Sequence, residues 1–285
     1  MKTIKRKPEW LKIKLSTNEN YSKVKHLVEN NDLHTICSSG KCPNISECWG
    51  KGTATLMILG DVCTRSCKFC AVKTGKPSRP VKNEPKKIAN TTRILKLKHV
   101  VITSVDRDDL NDYGAEQWAK TIHEVRKQNQ NTIIEVLIPD FKNRENLLKM
   151  VFDAKPDILG HNLETVKRLT PVVRSKANYQ NSLNVLKLSS RYGLITKSGI
   201  IVGLGETKEE VVECMKDIRN AGTTIMTIGQ YLQPTPQHLP VKEYIHPDIF
   251  NEFKEIGLNM GFKQIESAPL VRSSYMAEQS FSNYN

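Results

Sequence analysis

No stretch of this 285-residue chain approaches the roughly 18 consecutive apolar residues that a membrane-crossing helix requires, so no membrane partner is expected. The segment from Met1 to Leu15 is basic and broken by Pro8, with no apolar core of a secretory leader, and the expected location is the cytoplasm. Aromatic residues make up only 6% of the chain, which gives little support for base-stacking platforms. The 15 glycines and 13 prolines follow no period, there is no internal repeat, and 38% of residues are hydrophobic; collagen-like, low-complexity and wholly disordered classes are excluded. The seven histidines form no H-E-x-x-H pair and no comparable ligand spacing.

Two features stand out against these absences. Forty-three Lys and Arg against thirty Asp and Glu leave a formal charge of +13, so an acidic partner is expected. Nucleic acid and an acidic protein domain would both be attracted by such a field. The second feature is cysteine: six of the seven lie between Cys37 and Cys70, while Cys214 stands alone. Cytosolic thiols are kept reduced, so grouped cysteines there bind metal or do chemistry more often than they form disulfides. Cys214, amid the apolar helical spacing of Val211-Val212-Glu213-Cys214-Met215, is a packing residue.

Short apolar runs at Leu56–Leu59, Val100–Thr103, Ile133–Ile138, Ile158–Leu159, Ile200–Val202 and Ile225–Ile228 predict buried strands. Helical spacing separates them at Lys86–Leu97, Ala115–Lys127, Arg144–Phe152, Ser182–Arg191 and Lys208–Asn220, with a short helix after Asn162. About six strand-helix units require a parallel sheet with crossover helices, and periodicity leaves open whether it curls into a barrel.

The sequence Cys63-Thr-Arg-Ser-Cys67-Lys-Phe-Cys70 gives C-x3-C-x2-C directly after the first of these strands. Loops that follow the strands of an α/β barrel form its catalytic face. Three thiolates on a 4Fe-4S cubane leave the fourth iron free to coordinate a small molecule, whereas a structural zinc site prefers paired C-x2-C elements and four ligands. Upstream, Cys37, Cys42 and Cys48 form a second trio, C-x4-C-x5-C, separated from the first by one strand. Two clusters are expected in preference to one six-thiolate site.

With these motifs in hand, the chain resembles the lipoyl synthases of the radical S-adenosylmethionine superfamily. C-x3-C-x2-C is the superfamily signature, and C-x4-C-x5-C ahead of it together with Arg272-Ser273-Ser274-Tyr275 marks the family; the likeness runs from Lys7-Pro8-Glu9-Trp10-Leu11 to about Ala277. It implies a partial (β/α)6 TIM-like barrel over residues 53–261, an N-terminal extension (1–52) carrying the auxiliary-cluster cysteines and a C-terminal extension (262–285) carrying a serine ligand. It further implies that Cys63, Cys67 and Cys70 hold the cluster whose open iron chelates S-adenosylmethionine. Cys37, Cys42 and Cys48 would hold an auxiliary 4Fe-4S cluster completed by Ser274, with Ser273 as the alternative. Serine oxygen is a harder, poorer iron ligand than thiolate, which suits a cluster that must open.

The same resemblance implies S-adenosylmethionine contacts at Phe69, in Thr103-Ser104-Val105-Asp106, at Asn162, Glu164 and Arg174, and in Gly203-Leu204-Gly205-Glu206. It departs from many relatives at Tyr113, where they carry glycine, which puts the local loop conformation in question. The implied reaction inserts two sulfur atoms at C6 and C8 of an octanoyl-lysyl group and consumes the auxiliary cluster. Implied partners are octanoylated lipoyl carrier domains of 2-oxo acid dehydrogenase complexes and of the glycine cleavage system, an electron donor such as ferredoxin or flavodoxin, and an iron-sulfur carrier protein for cluster repair. Lipoyl carriers are commonly acidic, which would give the +13 charge a steering role, and no nucleic acid partner is then expected. A tRNA methylthiotransferase and a non-enzymatic two-cluster electron carrier are the competing readings.

Overall fold

The computed structural model describes residues 6–13, 18–275 and 277. Among the described residues ten strands occur: β1 (His34–Thr35), β2 (Thr55–Ile58), β3 (Val62–Cys63), β4 (Lys73–Thr74), β5 (His99–Ser104), β6 (Ile133–Leu137), β7 (Ile158–Gly160), β8 (Ile195–Val202), β9 (Ile225–Gln230) and β10 (Gln264–Ser267). Eight of them form one sheet in the order β1-β2-β5-β6-β7-β8-β9-β10, and β3 with β4 makes a small separate ladder. From β2 onward every neighbour is parallel. Only β1 runs antiparallel, with His34 opposite Met57. Among the described residues no ladder joins β10 to β1 or β2, yet the segment after β10 returns to the start of β2 and the helix ahead of it: Asn44 Nδ2 donates to Leu270 O at 2.7 Å and Thr55 Oγ1 to Ser274 Oγ at 2.8 Å. The sheet is thus a curled, partial barrel of α/β type.

All six strands expected from apolar runs are present, as are the five helices, now at Glu84–Ile94, Ala115–Gln128, Glu145–Asp153, Tyr179–Arg191 and Lys208–Asn220. The short helix after Asn162 is Thr170–Val173. β8 is longer than the run Ile200–Val202 indicates, because its first half carries the polar residues Thr196, Lys197 and Ser198, each buried with a partner. Lys197 Nζ lies 2.7 Å from Glu135 Oε1, and His99 Nε2 is 3.0 Å from Glu135 Oε2, all three side chains being buried. A buried charge persists only when paired, and this pairing is invisible to an apolar-run criterion. β10 (QIES) and the helix Pro247–Asn259 lie beyond the expected units and add a seventh parallel strand.

Helices cover the outer face of the sheet. The helix Ala115–Gln128 buries Trp118, Ile122 and Val125 at helical spacing, and these join the core with Ile102, Ile134 and Val136 from the strands. Tyr113 adopts φ +53°, the left-handed region that favours glycine and costs an L-residue roughly 1–2 kcal/mol. Its ring carries the Arg144 guanidinium 5.1 Å from the centroid, a contact that glycine at this position would lack. Among the described residues no helix is long and apolar enough to cross a membrane.

Candidate active site

The loop that follows β2 carries the first cysteine trio. Cys63 ends β3, Gly75 N donates to Cys63 O at 3.0 Å, and Cys70 N donates to Cys67 O at 3.0 Å, which turns the three side chains together at the mouth of the barrel. They line a cavity of about 510 Å³ at the carboxyl ends of the strands. The Cys63 sulfur accepts from the backbone N–H groups of Arg65 (3.4 Å) and Asp106 (3.3 Å). Burial is the main cause that raises all three thiols, to about 11 for Cys63 and Cys70 and about 12 for Cys67; Asp106 adds to the shift at Cys63 and Glu164 to that at Cys70. A metal-free trio of this kind stays protonated at neutral pH, and only a bound cation would make thiolates of it.

The second trio comes from two short helices of the N-terminal segment. Thr35 Oγ1 accepts from Ser38 N and starts the helix Ile36–Ser39 that holds Cys37, while Cys48 lies in the helix Ile45–Gly50. Cys42 N donates to Cys37 O at 2.9 Å and closes the turn between them. With Ser274, Tyr275, Arg272 and Thr55 the trio lines a cavity of about 140 Å³. Burial, and then the neighbouring Cys37 and Cys42, raise Cys48 to about 12. Ser273 lines only the larger cavity, whereas Ser274 lines both. Cys37, Cys42, Arg272 and Ser274 are the wall common to the two.

Among the described residues no three His, Cys, Asp or Glu side chains converge on one point as a single ion demands. The six cysteines instead border two spaces, Cys37, Cys42 and Cys48 the smaller and Cys63, Cys67 and Cys70 the larger, where Cys37 and Cys42 also reach, and each trio fits a polynuclear cluster held at its corners. The larger cavity also fits a polar ligand, for Ser104 Oγ, Asn162 Oδ1 and Arg174 Nε are buried there without a hydrogen-bond partner. Phe69, Thr103, Asp106 and Glu164 lie on the same wall, with Thr103 Oγ1 donating to Leu137 O and Asn162 Nδ2 to Glu164 Oε1, both at 3.0 Å.

Gly203, Gly205 and Glu206 are not brought to this cavity. The Glu206 carboxylate accepts from the Gly203 and Leu204 backbone N–H groups, so its charge closes the turn before the helix Lys208–Asn220. Gly199 lines the cavity in their stead, and a Cβ there would meet Thr227 Oγ1 at 2.4 Å. Cys214 is in the core beside Met215, away from both cavities.

Several residues of the site went unnoticed in the sequence. Arg65, between two cysteines of the motif, is buried against Asp106, Asp108 and Asp140. Asp140 follows the end of β6, and its position after a strand was a usable signal. Arg272, whose charge faces both Cys42 and Glu164, opens the very motif in which only serine was weighed as a ligand. His161 is 2% exposed, its Nδ1–H donating to Ile138 O at 2.9 Å and its Nε2 accepting from Ser182 Oγ at 3.0 Å.

Burial and the Arg174 charge lower His161 from 6.5 to about 4. The unfolded chain therefore takes up a proton first as pH falls, and the stability contributed by the neutral ring, present above pH 6.5, is lost as pH drops toward 4. Chemical denaturation of the metal-free protein is expected to lose roughly 2 kcal/mol from this group between pH 7 and pH 5, and His161→Asn to show a correspondingly shallower pH slope. Equal slopes for parent and variant would refute the assignment.

A profile of the Radical SAM superfamily matches residues 57–218. The lipoyl synthase of Phocaeicola vulgatus is 57% identical over 274 residues, spanning 96% of this chain and 96% of that protein. The chain belongs to the lipoyl synthase family. The Bacteroides fragilis lipoyl synthase is 58% identical over the same length and 96% of this chain. Among solved structures methylornithine synthase superposes with a TM-score of 0.55 at 13% identity, over 89% of this chain and 82% of that one, a likeness of fold alone. Membership of the lipoyl synthase family within the radical SAM superfamily implies a 4Fe-4S cluster and S-adenosylmethionine, and the donor set of the larger cavity fits both.

Proposed function

We propose that the chain is a lipoyl synthase that inserts two sulfur atoms, at C6 and C8, into an octanoyl chain amide-linked to a lysine of a lipoyl carrier domain. When bound, the clusters and S-adenosylmethionine supply an electron for sulfonium cleavage, a carbon radical that removes hydrogen from an unactivated C–H bond, and the sulfur that replaces it.

The chain's own residues divide this work. Cys63, Cys67 and Cys70 hold the cluster with the open iron, and Cys37, Cys42, Cys48 and Ser274 hold the auxiliary one. Ser104, Asp106, Asn162, Glu164 and Arg174 orient the methionyl end of S-adenosylmethionine, and Phe69 packs against its adenosine. Gly203, Gly205 and Glu206 shape the turn after β8 and act on adenosine only through the backbone they set. Apolar walls at Val105, Leu137, Ile200 and Val271 exclude water from the space where the acyl chain lies.

The observation that carries this reading is the common wall of Cys37, Cys42, Arg272 and Ser274. It lets one acyl chain in the larger cavity reach both trios without leaving the protein, which a plain electron carrier has no use for. The test is to incubate the reconstituted protein with reductant, S-adenosylmethionine and either octanoylated carrier domain or tRNA, and to locate sulfur by mass spectrometry. Sulfur on the acyl chain is expected. Sulfur on tRNA, or no 5'-deoxyadenosine at all, would overturn the proposal.

Among the described residues, the exposed ones at the mouth of the larger cavity include Lys7 and Lys41 and no carboxylate. With a chain charge of +13 this favours an acidic carrier. Apparent affinity for the carrier is expected to fall steadily as ionic strength rises to about 1 M, where the screening length is about 3 Å, while turnover of a short octanoyl-lysyl peptide changes little. Steady-state kinetics across salt concentrations check this, and a salt-independent KM for the carrier would remove the steering role. An electron donor of the ferredoxin or flavodoxin type and an iron-sulfur carrier for repair complete the proposed partners.

A further inference from the structure

Arg65 lies inside the C-x3-C-x2-C motif, yet the residue is only 5% exposed and its guanidinium faces three carboxylates. Nε and Nη2 donate to Asp108 at 2.9 and 2.8 Å, and Nη1 and Nη2 donate to Asp140 at 3.0 and 2.8 Å. Nη1 is also 3.3 Å from Asp106 Oδ1. The two forks reach different loops, one after β5 and one after β6, so a single side chain ties the cysteine loop to both. Lys142 Nζ, 3.2 Å from Asp108, is a second cation near this cluster of acids.

Asp106 links this clamp to sulfur. Its other oxygen, Oδ2, lies 3.7 Å from Cys63 Sγ, and its backbone N–H donates to the same sulfur, as does that of Arg65. Thr64 fixes the register, with Thr64 N and Oγ1 donating to Asp106 O at 3.0 and 2.9 Å and Asp108 N donating to Thr64 Oγ1 at 3.0 Å. Negative charge beside an iron-sulfur cluster opposes uptake of an electron, while hydrogen bonds to its sulfurs favour it. Arg65 acts on both in the same direction.

We infer that Arg65 is a positioning residue that raises the reduction potential at the Cys63, Cys67, Cys70 site, by offsetting the Asp106 charge beside Cys63 and by holding two N–H groups on the Cys63 sulfur. The inference rests on the cluster assignment proposed above. Lysine cannot replace the planar fork, because a single ammonium cannot bind two carboxylates in bidentate fashion.

The holoenzyme, R65Q and R65K are to be compared by potentiometric titration, following the electron paramagnetic resonance signal that changes when S-adenosylmethionine is added. That criterion selects the cluster with the open iron. The midpoint potential of R65Q is expected to shift to a more negative value, with R65K, which keeps the charge and loses the fork, between it and the parent. A merely structural role would lower the iron content and leave the potential of the remaining cluster unchanged, and that result in R65Q overturns the inference. Should R65Q hold no iron, R65K decides by the same comparison, and loss of iron from both variants also overturns it, since Arg65 would then serve assembly alone. A parent enzyme whose signal ignores S-adenosylmethionine would instead refute the cluster assignment itself.

Discussion

Cys63→Ala is expected to reduce 5'-deoxyadenosine formation to the level seen without enzyme. Cys63 lines the larger cavity with Cys67 and Cys70 of the same motif, and two backbone N–H groups, those of Arg65 and Asp106, are aimed at it. Removing it leaves two thiols for four irons and strands both donors in a part-buried site, where each unmet hydrogen bond costs about 1–3 kcal/mol. Iron should fall by about four per chain, from about eight in the anaerobically prepared parent. Product quantified by liquid chromatography with mass spectrometry, alongside iron and acid-labile sulfide, measures both effects. 5'-Deoxyadenosine at the parental rate from Cys63→Ala would dismiss the assignment of the first trio. Cys214→Ala serves as the control, because Cys214 packs in the core away from both cavities.

The opposite dissociation is expected at the second trio. Cys37→Ala and Ser274→Ala should go on cleaving S-adenosylmethionine while forming no lipoyl product above background. Both substitutions fall on the wall common to the two cavities, and the groups that hydrogen-bond to Cys63, namely Arg65 and Asp106, are left in place. The two variants should differ from each other in iron content. Cys37→Ala loses the one buried thiol of the trio, whereas Ser274→Ala loses a weaker oxygen donor and leaves Thr55 Oγ1 without its 2.8 Å partner. Iron should drop toward half in the first and far less in the second, with intact carrier mass in both. Full sulfur insertion by either variant would end the auxiliary role proposed for this trio, and Ser273→Ala tests the neighbouring hydroxyl, which lines only the larger cavity.

Tight spacing makes the six cysteines legible in the sequence, because each trio falls within one short stretch of chain. The expected strands were legible for a related reason: a parallel sheet covered on both faces demands continuous apolar runs, and Leu56–Leu59 or Ile225–Ile228 can serve little else. Where the barrel interior is polar this signal fails. Thr196, Lys197 and Ser198 belong to β8 although they lie outside the apolar run Ile200–Val202, and Glu135 on β6 neutralises Lys197 across the barrel. Glu206 shows the converse, a residue whose motif points to the ligand while its carboxylate is spent on two backbone N–H groups of its own turn.

What the sequence determined by itself was therefore local: two cysteine trios, their order along the chain, the alternation of strand and helix, and the family to which these belong. Only the tertiary structure decided which distant groups share a space, namely that Ser274 and Arg272 close the wall between the two trios and that Asp108 and Asp140 clamp Arg65. The physical reason is separation along the chain. Ligand spacing and periodicity are imposed by bonds and turns within a few residues, but a hydrogen bond such as that between Thr55 and Ser274, 219 positions apart, exists only because the sheet curls far enough to bring the segment after β10 back to the start of β2.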